Sequence, residues 1–94
     1  MKLSIILPTY NNERTIEECL KSLTEQDFSK KDYEILLIDG CSSDKTLEIA
    51  KKYKVRIIKN LHKVEEQARV IGINKAQGEI LAFIDADNVL LDKD

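Results

Sequence analysis

Strand-like apolar runs alternate with helix-like patterns along the whole chain, and this alternation restricts the fold more than any other feature of the sequence. The predicted strands are continuous runs rich in Ile and Leu, at Leu3–Leu7, Tyr33–Asp39, Val55–Lys59 and Glu79–Ile84. Such runs are typical of strands buried on both faces. Because strands that alternate with helices join through right-handed parallel crossovers, we expect a three-layer, Rossmann-like α/β fold. It has a mostly parallel four-stranded sheet with helices on both faces.

Helical patterns fill the three segments between these strands. In the first, predicted over Glu13–Gln26, apolar residues recur at three- and four-residue steps: Ile16, Cys19, Leu20 and Leu23. The third has a similar pattern and ends near Gly78: Val64, Ala68, Ile71 and Ala76. Polar residues that can cap a helix precede the first two helices: Asn11 or Asn12, and Ser43 or Asp44.

Composition places the chain among ordinary soluble globular proteins. Its 94 residues are 43% hydrophobic and 34% charged, which suits a single domain with a small core. The net charge of −2, from 15 basic and 17 acidic residues spread along the chain, leaves no basic stripe for nucleic acid. No apolar run approaches the roughly 20 residues that span a bilayer. No signal-peptide pattern precedes the first strand, so we expect a cytoplasmic protein, or one at the inner membrane surface as part of a larger enzyme.

Polar residues collect at one edge of the predicted sheet. In a sheet of this type, the binding crevice lies beyond the carboxyl ends of the strands, where the strand order reverses. Three strands are followed there by polar sequences: Pro8-Thr9-Tyr10-Asn11, Asp39-Gly40-Cys41-Ser42 and Asp85-Ala86-Asp87. We therefore expect a ligand site at this edge.

The last of these sequences is a D-x-D arrangement that directly follows a buried strand. Asp85 and Asp87 bring two carboxylates toward one point, where a hard divalent cation relieves their repulsion. Short acidic pairs are also common in surface turns, where they cap helices or stay hydrated. The position after a strand, at the same edge as Asp39, favours a metal site.

Other residues at this edge allow both a functional and a structural interpretation. Asp39 can accept a hydrogen bond from a base imide, or it can form an Asx turn with Ser42 and Ser43. Tyr10 can stack on a base, or it can pack at the sheet edge. Arg69 can bind a base or phosphate through its guanidinium, although a hydrated arginine is the more common case.

Taken in order, these segments resemble the N-terminal, nucleotide-sugar-binding half of the inverting GT-A-type glycosyltransferases of family 2. Members of that family begin with a strand, P-T-Y-N, a helix and a D-D-G-S turn, and continue with A-R-N-x-G, A-x-G-E and D-x-D segments. The corresponding stretches here are SIILPTYNNE, LLIDGCSSDKT and EQARVIGINKAQGEILAFIDADN. The resemblance implies one nucleotide-sugar-binding α/β domain over residues 1–94, which is the N-terminal part of a full glycosyltransferase.

The resemblance also implies roles for individual residues. Asp87 and Asp85 would hold the metal, Mn²⁺ or Mg²⁺, with Asp85 also at the ribose. The implied nucleotide-sugar contacts are Pro8, Thr9, Tyr10, Asn11, Glu13, Asp39, Arg69, Asp85 and Ala86. The implied reaction is inverting transfer from a nucleotide-sugar, with a UDP-sugar favoured, to an acceptor hydroxyl.

Three departures from the family pattern matter, together with the extent of the chain. Gly40 stands where many relatives have a second Asp, Val70 replaces the Asn of A-R-N, and Asn88 replaces a third Asp. In the family pattern the catalytic base belongs to the acceptor-binding half, beyond Asp94, so no catalytic base is predicted in this chain. The alternative to an active enzyme is therefore a nucleotide- and metal-binding module that needs a C-terminal half or a partner chain for turnover. We also expect the fourth strand to have an exposed edge that favours self-association.

Two further classes place acidic residues at the ends of parallel strands. A phospho-acceptor regulatory domain would need a lysine after a later strand and gives no role to P-T-Y-N. A dinucleotide-dependent oxidoreductase would need G-x-G-x-x-G after the first strand, which this sequence lacks. Both interpretations are weaker than the glycosyltransferase.

Overall fold

Strands and helices alternate as predicted in the computed structural model, which describes residues 3–25, 32–61 and 65–86. In chain order the elements are β1 (Leu3–Thr9), α1 (Ile16–Thr24), β2 (Tyr33–Asp39), α2 (Thr46–Ala50), β3 (Arg56–Lys59), α3 (Glu65–Lys75) and β4 (Ile80–Phe83). The strands pair parallel in the order β3-β2-β1-β4. The expected α/β fold is therefore confirmed. Within the described part of the chain, no helix has both the length and the apolar character needed to cross a membrane.

The sheet separates two apolar cores, because side chains alternate between its faces. On one face, α1 and α2 cover a core that includes Ile5 and Leu37. On the other face, α3 covers a core that includes Ile6 and Leu36. The chain crosses the sheet from β1 to β3 in one direction and then returns past β1 to β4. Right-handed crossovers therefore place α3 on the face opposite to α1 and α2.

β1 is two residues longer than predicted, because it continues through Pro8 to Thr9. The Thr9 carbonyl accepts a hydrogen bond from Gly40 N at 2.8 Å, so the backbone groups of Thr9 face β2. The Ile6 carbonyl accepts from Ile84 N at 3.1 Å, so those of Ile6 face β4. This direction alternates along a strand, and Pro8 therefore faces β4. The pairing of β1 with β4 has already ended at Ile6, so the missing N–H of Pro8 costs no hydrogen bond.

The first helix begins later than predicted, at Ile16, with Thr15 as its N-cap. The Asn12 carbonyl accepts hydrogen bonds from Thr15 N and Ile16 N, whereas its side-chain oxygen accepts from Tyr10 N at 2.8 Å. The prediction that an asparagine side chain caps this helix is therefore wrong, because that side chain folds the preceding loop instead. The predicted limits at Gln26 and Val64 lie outside the described residues.

Two glycines allow α3 and the start of β4 to pack tightly on β1. A Cβ at Gly72 would lie 2.5 Å from Cγ2 of Ile6. A Cβ at Gly78 would lie 2.8 Å from backbone atoms of Leu3 and Ser4. Both distances are too short for a real side chain, so this close approach requires glycine.

A hydrogen-bonded network joins the strands at the amino edge of the sheet. Glu34 is 8% exposed, and its carboxylate accepts from the Ser4 hydroxyl at 2.6 Å and the Gln77 N–H at 2.7 Å. It also accepts from Arg56 at 3.0 Å. Ser4 Oγ in turn accepts from Gly78 N at 2.8 Å. Burial raises the pKa of the Glu34 carboxyl, but these hydrogen bonds and the charge of Arg56 outweigh it and lower the pKa below its ordinary value of 4.5. We call this set of contacts the amino-edge network.

Candidate functional site

The strand order predicts the place of a ligand site at the carboxyl edge of the sheet. β2 and β3 lie on one side of β1, and β4 lies on the other. The order therefore reverses between β1 and β4, and ligands of doubly wound sheets bind in the crevice beyond the strand ends at such a reversal. The residues that follow these two strands are the loop that starts at Tyr10 and residues 84–86, and Pro8 near the end of β1 is half-buried.

The loops after β1 and β2 are joined by hydrogen bonds. The Asn11 N–H donates to Ser42 Oγ at 2.9 Å, and the Ser43 N–H donates to Asn11 Oδ1 at 2.8 Å. The Asn12 N–H donates to Thr46 Oγ1 at 2.8 Å. We call these contacts the loop staple. They hold the loop after β1 against the loop after β2.

Asp44 extends the loop staple at the start of α2. Its carboxylate accepts from the Thr46 N–H at 2.9 Å, the Thr46 hydroxyl at 2.5 Å and the Glu13 N–H at 3.2 Å. Lys45 occupies the N-cap position and makes no side-chain cap bond, so the prediction of Ser43 or Asp44 as the cap is wrong by at least one residue. The contact of Asp44 with the Thr46 N–H is an Asx turn that precedes the helix. Desolvation raises the pKa of the Asp44 carboxyl, but the hydrogen bonds from Thr46 and Glu13 outweigh it and lower the pKa below its ordinary value of 3.8.

Asp39 lies at the base of the loop staple and is fully buried. Its Oδ1 accepts from the Thr9 hydroxyl at 2.8 Å and the Ser42 hydroxyl at 2.5 Å, and its Oδ2 accepts from the Ser42 N–H at 2.8 Å. The contact with Ser42 N–H is a local side-chain-to-backbone bond of the kind considered above as the structural interpretation, although it spans three residues and an Asx turn spans two. A carboxylate oxygen has two lone pairs, so Oδ2 keeps one acceptor site beyond these contacts.

Two residues of the stapled loops have left-handed backbone conformations. Asn11 has a φ of 49° and Cys41 a φ of 66°. Asparagine adopts this conformation readily, whereas a residue such as cysteine is disfavoured there. In the D-D-G-S turn that this sequence resembles, a glycine stands where Cys41 stands here. The left-handed turn at Cys41 brings Ser42 back over Asp39.

The predicted nucleotide contacts differ in their exposure. Tyr10 is 53% exposed, so its ring is available for stacking. Glu13 is exposed at the end of the first loop, and Arg69 is exposed in the second turn of α3. Thr9, in contrast, is only 4% exposed and donates its hydroxyl to Asp39.

The D-x-D segment leaves β4 with one residue buried and one exposed. Ala86 is 4% exposed and packs in the core that α1 covers, whereas Asp85 lies at the surface. Asp87, the predicted metal ligand, lies outside the described residues. Within the described ranges, no group of three His, Cys, Asp or Glu side chains is arranged to hold a metal ion. The buried Ala86 thus anchors the segment, while Asp85 presents carboxylate oxygens of the kind that Mg²⁺ and Mn²⁺ prefer.

Asp39 and Asp85 lie at the same edge of the sheet, as predicted. They follow β2 and β4, two parallel strands with β1 between them. Strand spacing puts their positions roughly 10 Å apart across the sheet. The two carboxylates nevertheless have different surroundings, because Asp39 is bonded into the loop staple and Asp85 is exposed.

The loop staple is the part of this site that the sequence does not predict. Sequence patterns suggest Asn11 as a ligand contact or helix cap and give Thr46 no role. Both loops are dense in Asn, Ser, Asp and Thr, whose short side chains often bond to nearby backbone groups. The density of such residues indicates that these loops form hydrogen bonds, but it does not show which residues of the two loops bond to each other.

Comparisons with known proteins identify similar chains and similar structures. Residues 4–94 match a family model described as Glycosyl transferase family 2. Poly(ribitol-phosphate) beta-N-acetylglucosaminyltransferase TarS of Staphylococcus aureus strain Mu50 is 38% identical over 96 residues, which cover 96% of this chain and 17% of that protein.

Two similar solved structures contain nucleotides. The crystal structure of S. aureus TarS 1-349 in complex with UDP is 37% identical with a TM-score of 0.89, over 95% of this chain and 28% of that one. The mannosyltransferase PcManGT from Pyrobaculum calidifontis, in complex with GDP-Man and Mn²⁺, is 25% identical with a TM-score of 0.90, over 98% of this chain and 29% of that one. This chain thus spans less than a third of each of these proteins.

Proposed function

Because this chain belongs to glycosyl transferase family 2, we propose that it forms the donor-binding part of an enzyme that transfers a sugar from a nucleotide-sugar to an acceptor hydroxyl. The proposed transfer inverts the anomeric carbon, and the proposed donor is a UDP-sugar. UDP is favoured because TarS, the more identical of the two solved relatives, was crystallised with UDP, whereas PcManGT was crystallised with GDP-Man.

The reversal of strand order between β1 and β4 is the observation that carries this proposal. Tyr10, which directly follows β1, is 53% exposed, and Asp85, which follows β4, is exposed as well. An aromatic face suits a nucleobase, and a carboxylate suits a ribose hydroxyl or a cation beside a diphosphate. The two groups that a nucleotide needs therefore follow neighbouring strands at this reversal.

Individual roles follow from position and exposure. Tyr10 stacks on the base, and Asp39 accepts the base imide through the remaining acceptor site of Oδ2. Arg69 offers its guanidinium to the base or phosphate, and Asp85 accepts a ribose hydroxyl. The remaining members of the proposed binding surface are Pro8, Thr9, Asn11, Glu13 and Ala86.

A divalent cation, Mn²⁺ or Mg²⁺, fits the donors of the D-x-D segment. Asp85 presents hard carboxylate oxygens at the surface, and we assign Asp87 as the principal ligand. When bound, the cation neutralises charge on the diphosphate leaving group. The Mn²⁺ in the PcManGT complex supports this assignment.

A second candidate function is binding without turnover. The chain spans 17% of the curated TarS protein, so most of that enzyme has no counterpart here. We place the general base in such a missing part. The 94 residues alone would then bind nucleotide and metal but transfer no sugar.

Thermal shift with UDP, GDP and dTDP, each with and without Mn²⁺, tests the binding proposal. A ligand that binds only the folded form raises the melting temperature. We expect UDP with Mn²⁺ to give the largest rise, and Asp87→Ala to remove the part that depends on Mn²⁺. Asp32→Ala is the matched control, because Asp32 is an exposed acid at the opposite edge of the sheet. Equal shifts for all nucleotides, or a metal effect that survives Asp87→Ala, would contradict the proposal.

A transfer assay separates the two candidate functions. Sugar transfer by this chain is compared with transfer by a form that includes a C-terminal half from a relative. Nucleotide binding without transfer in the short form, together with transfer in the long form, supports the binding module. Robust transfer by the short form would instead place the base within these residues.

A further inference from the structure

Side chains of a distant segment hold the backbone of the loop after β1. The N–H groups of residues 10–13 each donate to a side-chain oxygen, and the acceptors are, in order, Asn12, Ser42, Thr46 and Asp44. The last three acceptors lie 31 to 34 residues further along the chain, in the segment that leads from β2 into α2. The conformation of this loop therefore depends on that segment.

Thr46 differs from the other three acceptors in its burial. It is fully buried, whereas the other three are half-buried. Its contact with the Asn12 N–H is partly buried as well, whereas the other three contacts are exposed. Water readily replaces a lost acceptor at an exposed contact, but a buried donor bears the cost of the missing bond. The bond to Thr46 is therefore the one that water replaces least.

Asp44 orients the hydroxyl of Thr46. This hydroxyl donates to Asp44 Oδ1 at 2.5 Å, and its oxygen accepts from the Asn12 N–H at 2.8 Å. A hydroxyl has one hydrogen and two lone pairs, so donation to the carboxylate leaves the lone pairs for Asn12. Donation to a carboxylate also polarises the hydroxyl and strengthens the bond that its oxygen accepts. The loop is thus held by a buried acceptor of fixed orientation.

Asn12 connects Thr46 to Tyr10. The Asn12 N–H donates to Thr46, and the Asn12 Oδ1 accepts from the Tyr10 N–H at 2.8 Å. Tyr10 is 53% exposed, so packing restrains its ring only in part. The position of the ring therefore depends on the backbone of the loop, which Asn12 holds.

We propose that Thr46 is a positioning residue for nucleotide binding: through Asn12, its hydroxyl holds Tyr10 where the ring stacks on a nucleobase. Because Thr46 is fully buried, it acts through Tyr10 and not by touching the ligand. This inference rests on the proposed function, in which Tyr10 stacks on the base of a UDP-sugar. The competing interpretation is purely structural. In that case the hydroxyl stabilises the start of α2, and its loss does not change binding by the folded chain.

Calorimetric titration with UDP and Mn²⁺ tests the role of the hydroxyl, at a temperature where far-UV circular dichroism shows each variant folded. Thr46→Val replaces the hydroxyl with a methyl group of similar size, and we expect the dissociation constant of UDP to rise about fivefold. Thr46→Ser keeps the hydroxyl and should stay within about twofold of the wild type. Thr24→Val is the matched control, because it makes the same replacement at an exposed residue at the far end of α1 and should leave the constant unchanged.

A double-mutant cycle with Tyr10→Ala tests whether Thr46 acts through Tyr10. In the Tyr10→Ala background, we expect Thr46→Val to change UDP affinity by less than about twofold, because the ring that it positions is already absent. An equal loss in both backgrounds overturns the proposal, since Thr46 then acts by another route. Wild-type affinity in Thr46→Val also overturns it, and the donor-binding proposal remains intact. A wild type that binds no UDP overturns the donor-binding proposal and this inference together.

Amide exchange without ligand measures the hold on the loop directly. We expect the N–H groups of Tyr10 and Asn12 to exchange faster in Thr46→Val than in the wild type, and at the wild-type rate in Thr24→Val. Thr46→Ser should restore slow exchange. Unchanged exchange in Thr46→Val overturns the proposal, because the hydroxyl then does not hold this loop.

Discussion

β2 carries one buried acid near each end, and the two acids hold different parts of the molecule. Glu34 at the amino edge and Asp39 at the carboxyl edge each accept three hydrogen bonds from protein groups. The donors to Glu34 lie on β1, on β3 and in the connection from α3 to β4. The donors to Asp39 lie on β1 and in the turn that directly follows β2.

This difference separates an edge where one buried acid joins several strands from an edge where a buried acid joins two neighbouring loops. The amino-edge network joins all four strands of the sheet, directly or through the start of β4. At the carboxyl edge the loop staple joins the loops after β1 and β2, whereas Tyr10 and Asp85 remain exposed. A buried acid therefore marks a structural joint at either edge. Exposed polar side chains at the reversal of strand order mark the proposed ligand site.

The largest effect is expected from Glu34→Ala. Removing this carboxylate leaves the Ser4 hydroxyl and the Gln77 N–H without their acceptor and Arg56 without its counter-charge. We expect a loss of about 3 kcal/mol in the free energy of unfolding, measured by urea denaturation. Asp32→Ala, an exposed acid two residues earlier, should change it by less than about 0.5 kcal/mol. Similar losses in both variants would mean that the amino-edge network does not stabilise the fold.

Asp39→Ala should have a smaller effect on stability. It removes the acceptor for Thr9 and Ser42. These donors lie close together at the carboxyl edge of the sheet, and some of them can bond to water instead. We expect a loss of about 2 kcal/mol in the same denaturation experiment. A loss larger than that of Glu34→Ala would reverse the proposed contrast between the two edges.

Binding of a modified nucleotide tests whether Asp39 also contacts the base. UDP methylated at the imide nitrogen has no hydrogen to donate to Oδ2. We expect it to bind about tenfold more weakly than UDP, which corresponds to about 1.4 kcal/mol, by calorimetric titration. Equal affinities would leave Asp39 with the structural role alone.

Acid should weaken the amino edge in a predictable direction. Because its hydrogen bonds lower the pKa of Glu34 below 4.5 in the folded chain, folding favours the ionised carboxyl. The ionised Glu34 carboxyl contributes fully to the stability of the fold above the pKa that Glu34 has in the unfolded chain. This contribution is lost as the pH falls through the lower pKa that Glu34 has in the folded chain. The urea midpoints of the wild type and Glu34→Gln should therefore converge as the pH falls below about 4.5. A constant difference between them would argue against this titration.

The smallest effect, and the only gain, is expected from Cys41→Gly. Cys41 holds a left-handed conformation that glycine adopts without a Cβ penalty. After allowing for the greater backbone entropy of unfolded glycine, we expect a gain of about 0.5 kcal/mol by urea denaturation. Ser43→Gly serves as control, because Ser43 is not among the positive-φ residues and should lose stability. A loss at both positions would show that the turn is not strained at Cys41.

Much of the fold could be predicted from the sequence, because buried strands are long apolar runs. The bounds predicted for Tyr33–Asp39 are those observed, whereas β1 continues two residues beyond the predicted Leu7, because a proline at a position without a strand partner does not end a strand. The amino-edge network was not predicted, since Glu34 lies inside an apolar run and its donors Ser4 and Arg56 are far away in sequence. Local patterns contain no information on such distant pairs.

The position of the candidate site in the fold could be predicted, but the hydrogen bonds of its residues could not. The rule for parallel sheets located the edge from the residues that follow each strand. It did not decide between the two interpretations of Asp39, because both use the same carboxylate. The outcome depended on Ser42 returning over Asp39, which the left-handed turn at Cys41 makes possible.

Pro8 ends the pairing of β1 with β4 through covalent structure. Further pairing would leave the Ile84 carbonyl without a donor, because Pro8 has no N–H, so nothing holds the chain to β1 beyond the hydrogen bond of Ile84 N. Entry of a nucleotide at the proposed site then requires no separation of these two strands. Association with a nucleotide should accordingly proceed in a single kinetic phase, at a rate governed by encounter in solution.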